Sequence, residues 1–201
     1  MKKHYLLLLA LLCMATFTVK AQHESGFLVG SGIGSLNKDF YQNKLVSSYS
    51  ASYRFNLSLG YRYRAFTATP LFFDMDANLG VRQWHSEYVP NFYYSETSPY
   101  SQLIKDYTSN FYFLSVGGTA NYSLYKGLSI GLGVEPTYYF KCTGEGSDNH
   151  FDVPLVGKVA YRFRPIEIGL SYKYGLMNVV KNENMKSGKF RDLQLSLWIP
   201  F

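Results

Sequence analysis

His85, Ser86 and Glu87 are consecutive residues of the three types that form the catalytic triad of serine hydrolases. In such a triad the histidine accepts the serine proton and the carboxylate orients the histidine. Neighbouring residues of a β-strand point to opposite faces, so three consecutive strand residues cannot converge on one substrate atom. The spacing therefore argues against a hydrolase, and we expect neither enzymatic activity nor a cofactor.

His85 and His150 are the other candidates for chemistry, because imidazole nitrogens are common metal ligands. Two histidines without a placed cysteine or carboxylate make a poor site, so solvated histidines at a loop rim are the simpler interpretation. The glycine-rich run at 30–34 lacks the following helix that a dinucleotide-binding loop requires. Its glycines more simply leave room for other side chains.

Residues 1–21 have the pattern of an export signal. A basic start at 1–4 precedes an almost wholly apolar run at 6–15, and Val19-Lys20-Ala21 offers small residues for cleavage. The apolar run is shorter than the roughly 20 residues of a membrane helix. We therefore expect the signal to be removed and residues 22–201 to form a single domain.

The composition is rich in aromatic residues (18%) and low in charged ones (17%). Such a chain has enough apolar surface to fold, and its two cysteines are too few for a disulfide scaffold. The net charge of +6 includes three lysines of the export signal, and the remainder is scattered. We therefore expect no binding to nucleic acid.

Strict alternation of apolar and polar residues dominates the rest of the chain. Over 48–64 every odd-numbered residue is apolar and every even-numbered residue is polar, charged or glycine. Side chains of a strand alternate between two faces, so this run predicts one apolar and one polar face. Seven similar runs bring the predicted strands to eight: 26–35, 48–64, 71–83, 110–125, 128–141, 151–163, 166–176 and 190–201.

Fourteen charged residues of these strands fall on the polar parity, and Arg191, next to the last long connection, is the exception. The predicted strands are longer than the usual 5–6 or so residues of globular strands, and their connections alternate between long and short. Both features predict an all-β fold, an eight-stranded antiparallel up-and-down transmembrane β-barrel with lipid outside and charge inside. The long connections are 36–47, 84–109, 142–150 and 177–189.

The chain resembles the small eight-stranded outer-membrane barrels of Gram-negative bacteria, the OmpX and OmpA-transmembrane-domain type. The resemblance is carried by the last strand, which alternates from Leu193 to a terminal Phe201. In that group such a strand is read by the barrel-assembly machinery, which implies an assembly signal at Leu195, Leu197, Ile199 and Phe201. The resemblance also implies residence in the bacterial outer membrane, in contact with lipid and lipopolysaccharide. It leaves the function open, because the group includes anchors, adhesins, defence proteins and lipid-modifying enzymes.

An eight-stranded barrel has an interior just filled by side chains, so we expect no wide pore and expect the interior charges to pair. Hairpin register predicts Arg162 opposite Glu167 and Arg62 opposite Asp74, while Glu135 and Lys158 come to similar heights. The predicted network is Arg54, Arg62, Asp74, Asp76, Arg82, Glu135, Lys158, Arg162, Glu167, Lys173 and Asp192; Arg64, Lys141 and Asp152 share its parity. Structural packing is one interpretation of this network, and a gated polar path or proton relay is the other.

Turn and breaker residues add local predictions. Tyr125-Lys126-Gly127 suits a three-residue loop with Gly127 left-handed, and Arg164-Pro165 suits a four-residue loop from Phe163 to Ile166. Pro136 and Pro154 predict a bulge or weakened pairing in neighbouring strands.

The loops are the predicted recognition elements. The connection 84–109 is rich in rings that either pack over the barrel mouth or contact a protein or glycan: Tyr88, Phe92, Tyr93, Tyr94 and Tyr100. The last connection, with Lys181, Lys186, Lys189 and the adjacent Arg191, either contacts lipopolysaccharide phosphates or is solvated.

The predicted function is a structural or surface-interaction role through extracellular loops, with both termini in the periplasm. The alternatives are an accessory subunit of an envelope secretion or uptake complex and, less favoured, a lipid A-modifying enzyme. Predicted partners are the assembly machinery during biogenesis and a surface protein or glycan.

Overall fold

A computed structural model describes residues 23–40, 46–66, 69–90, 105–144, 149–181 and 185–201. These residues form the strands β1 (His23–Phe40), β2 (Val46–Phe66), β3 (Leu71–Pro90), β4 (Lys105–Tyr125), β5 (Leu128–Val134), β6 (Thr137–Thr143), β7 (Phe151–Asp152), β8 (Leu155–Phe163), β9 (Ile166–Tyr174) and β10 (Met185–Pro200). Within this part of the chain, no helix has the length and apolarity needed to cross a membrane.

The strands form a closed antiparallel ring. The hydrogen-bonded order is β3-β2-β1-β10-β9-β8-β5-β4, and pairing of β3 with β4 closes it. The short strands β6 and β7 continue β5 and β8 after a break, so the ten elements occupy eight positions around the ring. The predicted eight-stranded all-β barrel is confirmed.

Both breaks lie at the predicted prolines. Pairing stops after Val134 and resumes at Thr137, and the neighbouring strand is interrupted between Asp152 and Leu155. Proline has no N–H to donate, so its position cannot complete a ladder. Backbone hydrogen bonds bridge the gap, from Glu135 N to the Pro154 carbonyl (2.9 Å) and from Val116 N to the Pro136 carbonyl (3.0 Å).

Several strands extend beyond their predicted ends. The predicted 71–83 and 110–125 are Leu71–Pro90 and Lys105–Tyr125, and they pair from Leu71↔Tyr122 to Tyr88↔Lys105 without a register shift. The predicted bounds of the 84–109 connection are therefore wrong. Where neither face of a ribbon meets lipid, alternation is not required, so the sequence pattern ends before the strand does.

Register shifts interrupt the predicted alternation, and two of them lie at or near charged residues. Tyr53 pairs with Trp84 and Phe55 with Gln83, so Arg54 lies at a bulge and the run 48–64 is not one continuous face. The side chain of Arg54 is outside the described residues. A second shift, where Tyr112 pairs with Lys141 and Phe113 with Tyr139, reverses the parity of Lys141.

The prediction that Lys141 points inward is therefore wrong. Its Nζ lies 5.7 Å from the centre of the outward Tyr112 ring, and the residue is exposed.

The two hairpin turns are tighter than predicted. Lys126 and Gly127 both have positive φ (31° and 94°), and Tyr125 pairs with Leu128. The left-handed Gly127 is confirmed, but two positive φ values make a two-residue primed turn rather than a three-residue loop. Arg164-Pro165, joined by a cis peptide bond, likewise connects the paired residues Phe163 and Ile166, so the four-residue loop is wrong.

The faces of the ring are segregated as the alternation predicts. Large apolar side chains cover the outside, including Leu132 (74% exposed), Ile33 and Leu59. Charged side chains such as Arg62 and Asp74 are buried inside. A closed ring leaves no unpaired edge, and an apolar exterior around a polar interior is the arrangement of a transmembrane β-barrel.

Candidate functional site: the filled interior and the two rims

Six charged side chains form one cluster in the half of the interior next to the hairpin turns. The cluster contains three cations and three carboxylates, so its formal charges cancel: Arg62, Arg64, Lys158, Asp74, Asp76 and Glu167. We call this group the six-charge cluster. All of its members except Asp76 are buried, and paired charge is the arrangement that a buried site tolerates.

Glu167 lies at the centre of the six-charge cluster. Its carboxylate accepts hydrogen bonds from Arg64 Nη1 (2.5 Å) and Nη2 (2.8 Å), from Arg62 Nη1 (3.2 Å) and from Lys158 Nζ (3.2 Å). Asp74 takes a bidentate pair from Arg64 Nε (2.6 Å) and Nη2 (2.9 Å), and a further bond from Lys158 Nζ (3.0 Å). Cations from β2 and β8 therefore converge on carboxylates from β3 and β9.

Aromatic rings enclose the cluster on the hairpin side. The Arg64 guanidinium carbon lies 4.3 Å from the ring centres of both Phe72 and Trp198. Trp198 is fully buried, and Arg62 and Arg162 also approach its ring, at 5.8 and 5.7 Å. The rings exclude water, which strengthens the ion pairs behind them.

Of the two predicted register positions, Arg162 opposite Glu167 is confirmed and Arg62 opposite Asp74 is wrong, and the ion pairs do not simply follow the register. Arg162 is opposite Glu167 in register, but its Nη2 pairs with Glu24 (2.7 Å) at the partly exposed rim. Arg62 is opposite Asp76, not Asp74, and is bonded to it at 2.7 Å.

Glu135, predicted near Lys158, is bonded instead to Lys173 (2.6 Å). Long side chains can cross the interior, so a neighbour in the sheet is not always the ion-pair partner.

Two further ion pairs occupy the middle of the barrel. Glu135 receives the Lys173 ammonium and the Ser115 hydroxyl (3.0 Å). Arg82 donates to Asp192 (2.7 Å from Nη2) and also to the Tyr139 hydroxyl.

Between the Glu135–Lys173 pair and the six-charge cluster lies a cavity of about 30 Å³, lined by Ser58, Asn78, Thr119 and Gln194 among others. That volume suits one or two water molecules and not a solute.

An apolar cluster fills the half of the interior next to the long loops. The alternation does not predict it, because the pattern places apolar residues on the outward face alone. Phe111 packs edge-on against Phe190 (centroids 5.4 Å apart) and Tyr139 (5.9 Å). The cluster contains Leu36, Trp84, Phe111, Phe113, Tyr139, Val179, Val180, Met185 and Phe190. The available clue is that Phe111 and Phe113 lie on the parity opposite Tyr112 and Leu114, which makes that stretch apolar on both faces.

The segment after β9 folds into the barrel and completes this cluster. Val179 and Val180 are fully buried, and their backbone N–H groups donate to the Gly188 carbonyl (2.9 and 3.2 Å). Asp152 holds the start of the segment, because its Oδ1 accepts the N–H groups of Leu176 (3.1 Å) and Met177 (3.0 Å). Packing over the barrel mouth, proposed from sequence for 84–109, is found in this last connection.

The candidate catalytic and metal-binding residues do not assemble a site. Ser86 is fully buried inside, Glu87 is exposed, and His85 Nδ1 lies 3.5 Å from Thr108 Oγ1. The three do not converge, as predicted. His150 Nδ1 donates to the Tyr139 carbonyl (2.9 Å), and no cluster of three or more metal-ligating residues is found among the described residues.

The last strand, which carries the predicted assembly signal, pairs with the first. β10 closes the barrel against β1, with Ile199 opposite Phe27. Leu195, Ile199 and Phe201 are exposed on the outside, with Leu197 half-buried on the same parity. The Phe201 ring lies 5.3 Å from that of Phe27, and its N–H donates to the Ser25 carbonyl (2.9 Å). The role of these residues in assembly stays a prediction.

The aromatic residues predicted for recognition lie mostly beyond the described chain. Tyr88 lies in β3, opposite Lys105. The others, Phe92, Tyr93, Tyr94 and Tyr100, are outside the described residues.

Comparison with known proteins gives structural similarity only. No protein-family model matches the chain, and no curated protein matches it. Ail, the attachment invasion locus protein of Yersinia pestis, is 17% identical with a TM-score of 0.42, and the match covers 90% of this chain and 99% of Ail. The outer membrane protein OprG from Pseudomonas aeruginosa is 12% identical with a TM-score of 0.47, covering 89% and 91%. A major outer membrane protein from Thermus thermophilus is 12% identical with a TM-score of 0.38, covering 88% and 99%.

Proposed function

We propose that this protein is a bacterial outer-membrane β-barrel with a structural or surface-interaction role, exerted through the loops at the rim opposite the hairpin turns. One observation carries the proposal, which is the length of the β3–β4 ribbon. Crossing a membrane takes about 9–11 strand residues, whereas β3 has 20 and β4 has 21. The excess of about ten residues in each strand extends roughly 20–25 Å beyond the bilayer at the usual rise and tilt.

The ribbon is suited to holding a loop away from the membrane. Its pairing has no register shift up to Tyr88↔Lys105, so the segment 91–104 is attached to a continuous two-stranded support. Recognition by loops on a rigid support is common, and aromatic side chains give large contact areas at low cost in conformational entropy. These features favour a contact role for the tyrosines of 91–104.

The filled interior supports a role other than transport. The six-charge cluster occupies one half, the apolar cluster occupies the other, and the cavity between them measures about 30 Å³. Phe111, Phe190 and Val180 in the apolar cluster offer no hydrogen-bonding side chains to a polar path through this half. These features favour a structural packing role for the interior ion pairs over a proton relay.

The proposed orientation has the hairpin turns and both chain ends of the barrel in the periplasm. Outer-membrane barrels have short periplasmic turns and longer extracellular loops. His23 and Phe201 both lie at the hairpin rim, because His23 pairs with Ala65 and Phe201 bonds to Ser25.

Labelling of single cysteines in intact cells tests this orientation. In a Cys142→Ser background, Tyr93→Cys should react with a membrane-impermeant maleimide, and Lys126→Cys should react only after the outer membrane is permeabilised. The reverse pattern would contradict the proposed orientation.

Crosslinking then tests the contact role, with a photoreactive amino acid at position 93 and a matched control at position 125. Crosslinks to a surface protein or glycan from position 93 alone support the proposal. A stoichiometric envelope complex that survives mild detergent would instead favour the accessory-subunit alternative.

A further inference from the structure

Two cations point outward from β10 at the rim opposite the hairpin turns. Phe190 and Asp192 are buried inside, so the alternate residues Lys189 and Arg191 face outward, in line with the exposed Leu193 and Leu195. They therefore lie directly beyond the apolar band, at the level where lipid headgroups begin.

Neither cation is neutralised within the described part of the protein. No carboxylate there lies within ion-pair distance of Lys189 or Arg191, and Asp39, the outward acid of neighbouring β1, accepts the Ser187 hydroxyl (3.1 Å). The Arg191 guanidinium carbon lies 4.9 Å from the centre of the Tyr174 ring on β9. This stacking restricts the guanidinium, which lowers the entropy lost when it binds an anion.

Among the residues that the structure describes, no such pair of Lys or Arg lies on the outside of the strands at the opposite rim. The outward residues there include uncharged rings that are exposed to different extents: Phe27, Tyr61, Tyr122, Tyr161, Phe163 and Phe201. Its exposed cations, Lys126 and Arg164, lie in the two-residue turns beyond the strands. The outward positive charge is thus found at one rim, which matches a membrane whose two leaflets differ in phosphate content.

We propose that Lys189 and Arg191 bind a phosphate group of a glycolipid headgroup in the outer leaflet, with Tyr174 positioning Arg191. Residues two apart on one strand face are separated by roughly 7 Å at Cα, so both long side chains can reach one phosphate. The guanidinium can donate two parallel hydrogen bonds to phosphate oxygens, and the ammonium adds a point charge. The proposal rests on the orientation given under Proposed function.

The test is a titration of the purified, refolded full barrel with bisphosphorylated lipid A, read by native mass spectrometry. The variant is K189Q with R191Q, and the matched control is K126Q with R164Q, which removes the same charge from the other rim. A basic residue near an anionic surface contributes about 1 kcal/mol, so losing two should weaken binding roughly thirtyfold. The control should bind like the unaltered protein, and all variants should show the same gel shift between folded and heated samples.

Two further ligands separate the possible sources of the phosphate. Lipid A stripped of its phosphates should bind the unaltered protein as weakly as it binds the K189Q and R191Q variant. Inorganic phosphate at equal concentration should not displace lipid A, because the acyl chains add burial against the apolar band. Equal loss in the control, equal binding of the stripped lipid, or displacement by inorganic phosphate would each overturn the proposal. Both rims are accessible to lipid in the purified protein, so this titration does not depend on orientation in the membrane. A failure to bind lipid A is therefore distinct from a failure of the cysteine labelling, which tests orientation.

Discussion

Replacing Glu167 by glutamine should destabilise the barrel more than any substitution of an exposed acid. Glu167 receives hydrogen bonds from three buried cations, at 2.5 to 3.2 Å. Glutamine keeps the shape but removes the charge, which leaves Arg62, Arg64 and Lys158 with only two carboxylates. Removing one partner of a buried ion pair typically costs about 3–5 kcal/mol, because the remaining charge stays desolvated. We expect a loss of that size for E167Q.

The matched control is Glu24→Gln at the rim. Glu24 also forms an ion pair, with Arg162 at 2.7 Å, but both side chains are about one-third exposed. Such pairs contribute about 0–1 kcal/mol, since water screens them. Because the substitution is the same at both positions, the difference between the two losses of stability measures the effect of burial.

Urea unfolding of the refolded barrel, followed by tryptophan fluorescence, measures both variants. The two tryptophans, Trp84 and Trp198, are fully buried inside the barrel, so their emission reports its integrity. A second variant, E167Q with Lys158→Met, restores charge balance and should recover part of the loss. The reasoning is refuted if E167Q costs no more than E24Q, or if the double variant loses the sum of its two single effects.

Two further substitutions and one deletion test other parts of the structure. Leu132→Arg places a charge on the most exposed large apolar position, so the stability of the barrel in lipid should fall by about 2–4 kcal/mol. Leu132→Val is the control, and equal stability of the two variants would contradict the membrane interpretation. Deleting Phe201 should lower the amount of barrel inserted in cells far more than it lowers the stability of the refolded protein. The expected loss of stability is about 1–3 kcal/mol, from the lost burial of the ring. A normal amount of inserted protein would show that Phe201 is only a packing residue. Asp152→Asn should speed hydrogen exchange at the Leu176 and Met177 amides, and unchanged exchange would show that the carboxylate does not hold this segment.

Side-chain partners inside the barrel were beyond prediction. Glu167 on β9 bonds to arginines on β2, although β9 pairs with β8 and β10. Such contacts depend on closure of the ring and on the exact stagger of strands far apart in sequence. The bulges at Arg54 and near Lys141 also change parity locally without any interruption of the sequence pattern, so the pattern predicts the wrong face for Lys141.

The apolar cluster is a second feature that the sequence does not predict. Val179 and Val180 follow a strand and carry no periodic pattern, yet they are fully buried among rings from β3, β4 and β10. Only the folded ring creates the space they fill, and hydrogen bonds to the Asp152 carboxylate and to the Gly188 carbonyl hold the segment there.

The sequence by itself determined the strands, the lipid-facing side of most of them and the closed antiparallel architecture. This was possible because each strand residue faces either lipid or the interior. Apolar and polar residues therefore alternate along the strands, and the alternation is visible in the sequence. The tertiary structure alone decided which charges pair, how far the ribbons extend and what fills the mouth of the barrel. These features arise from contacts across the interior, where side chains from opposite strands meet, and no local pattern encodes which of them will touch.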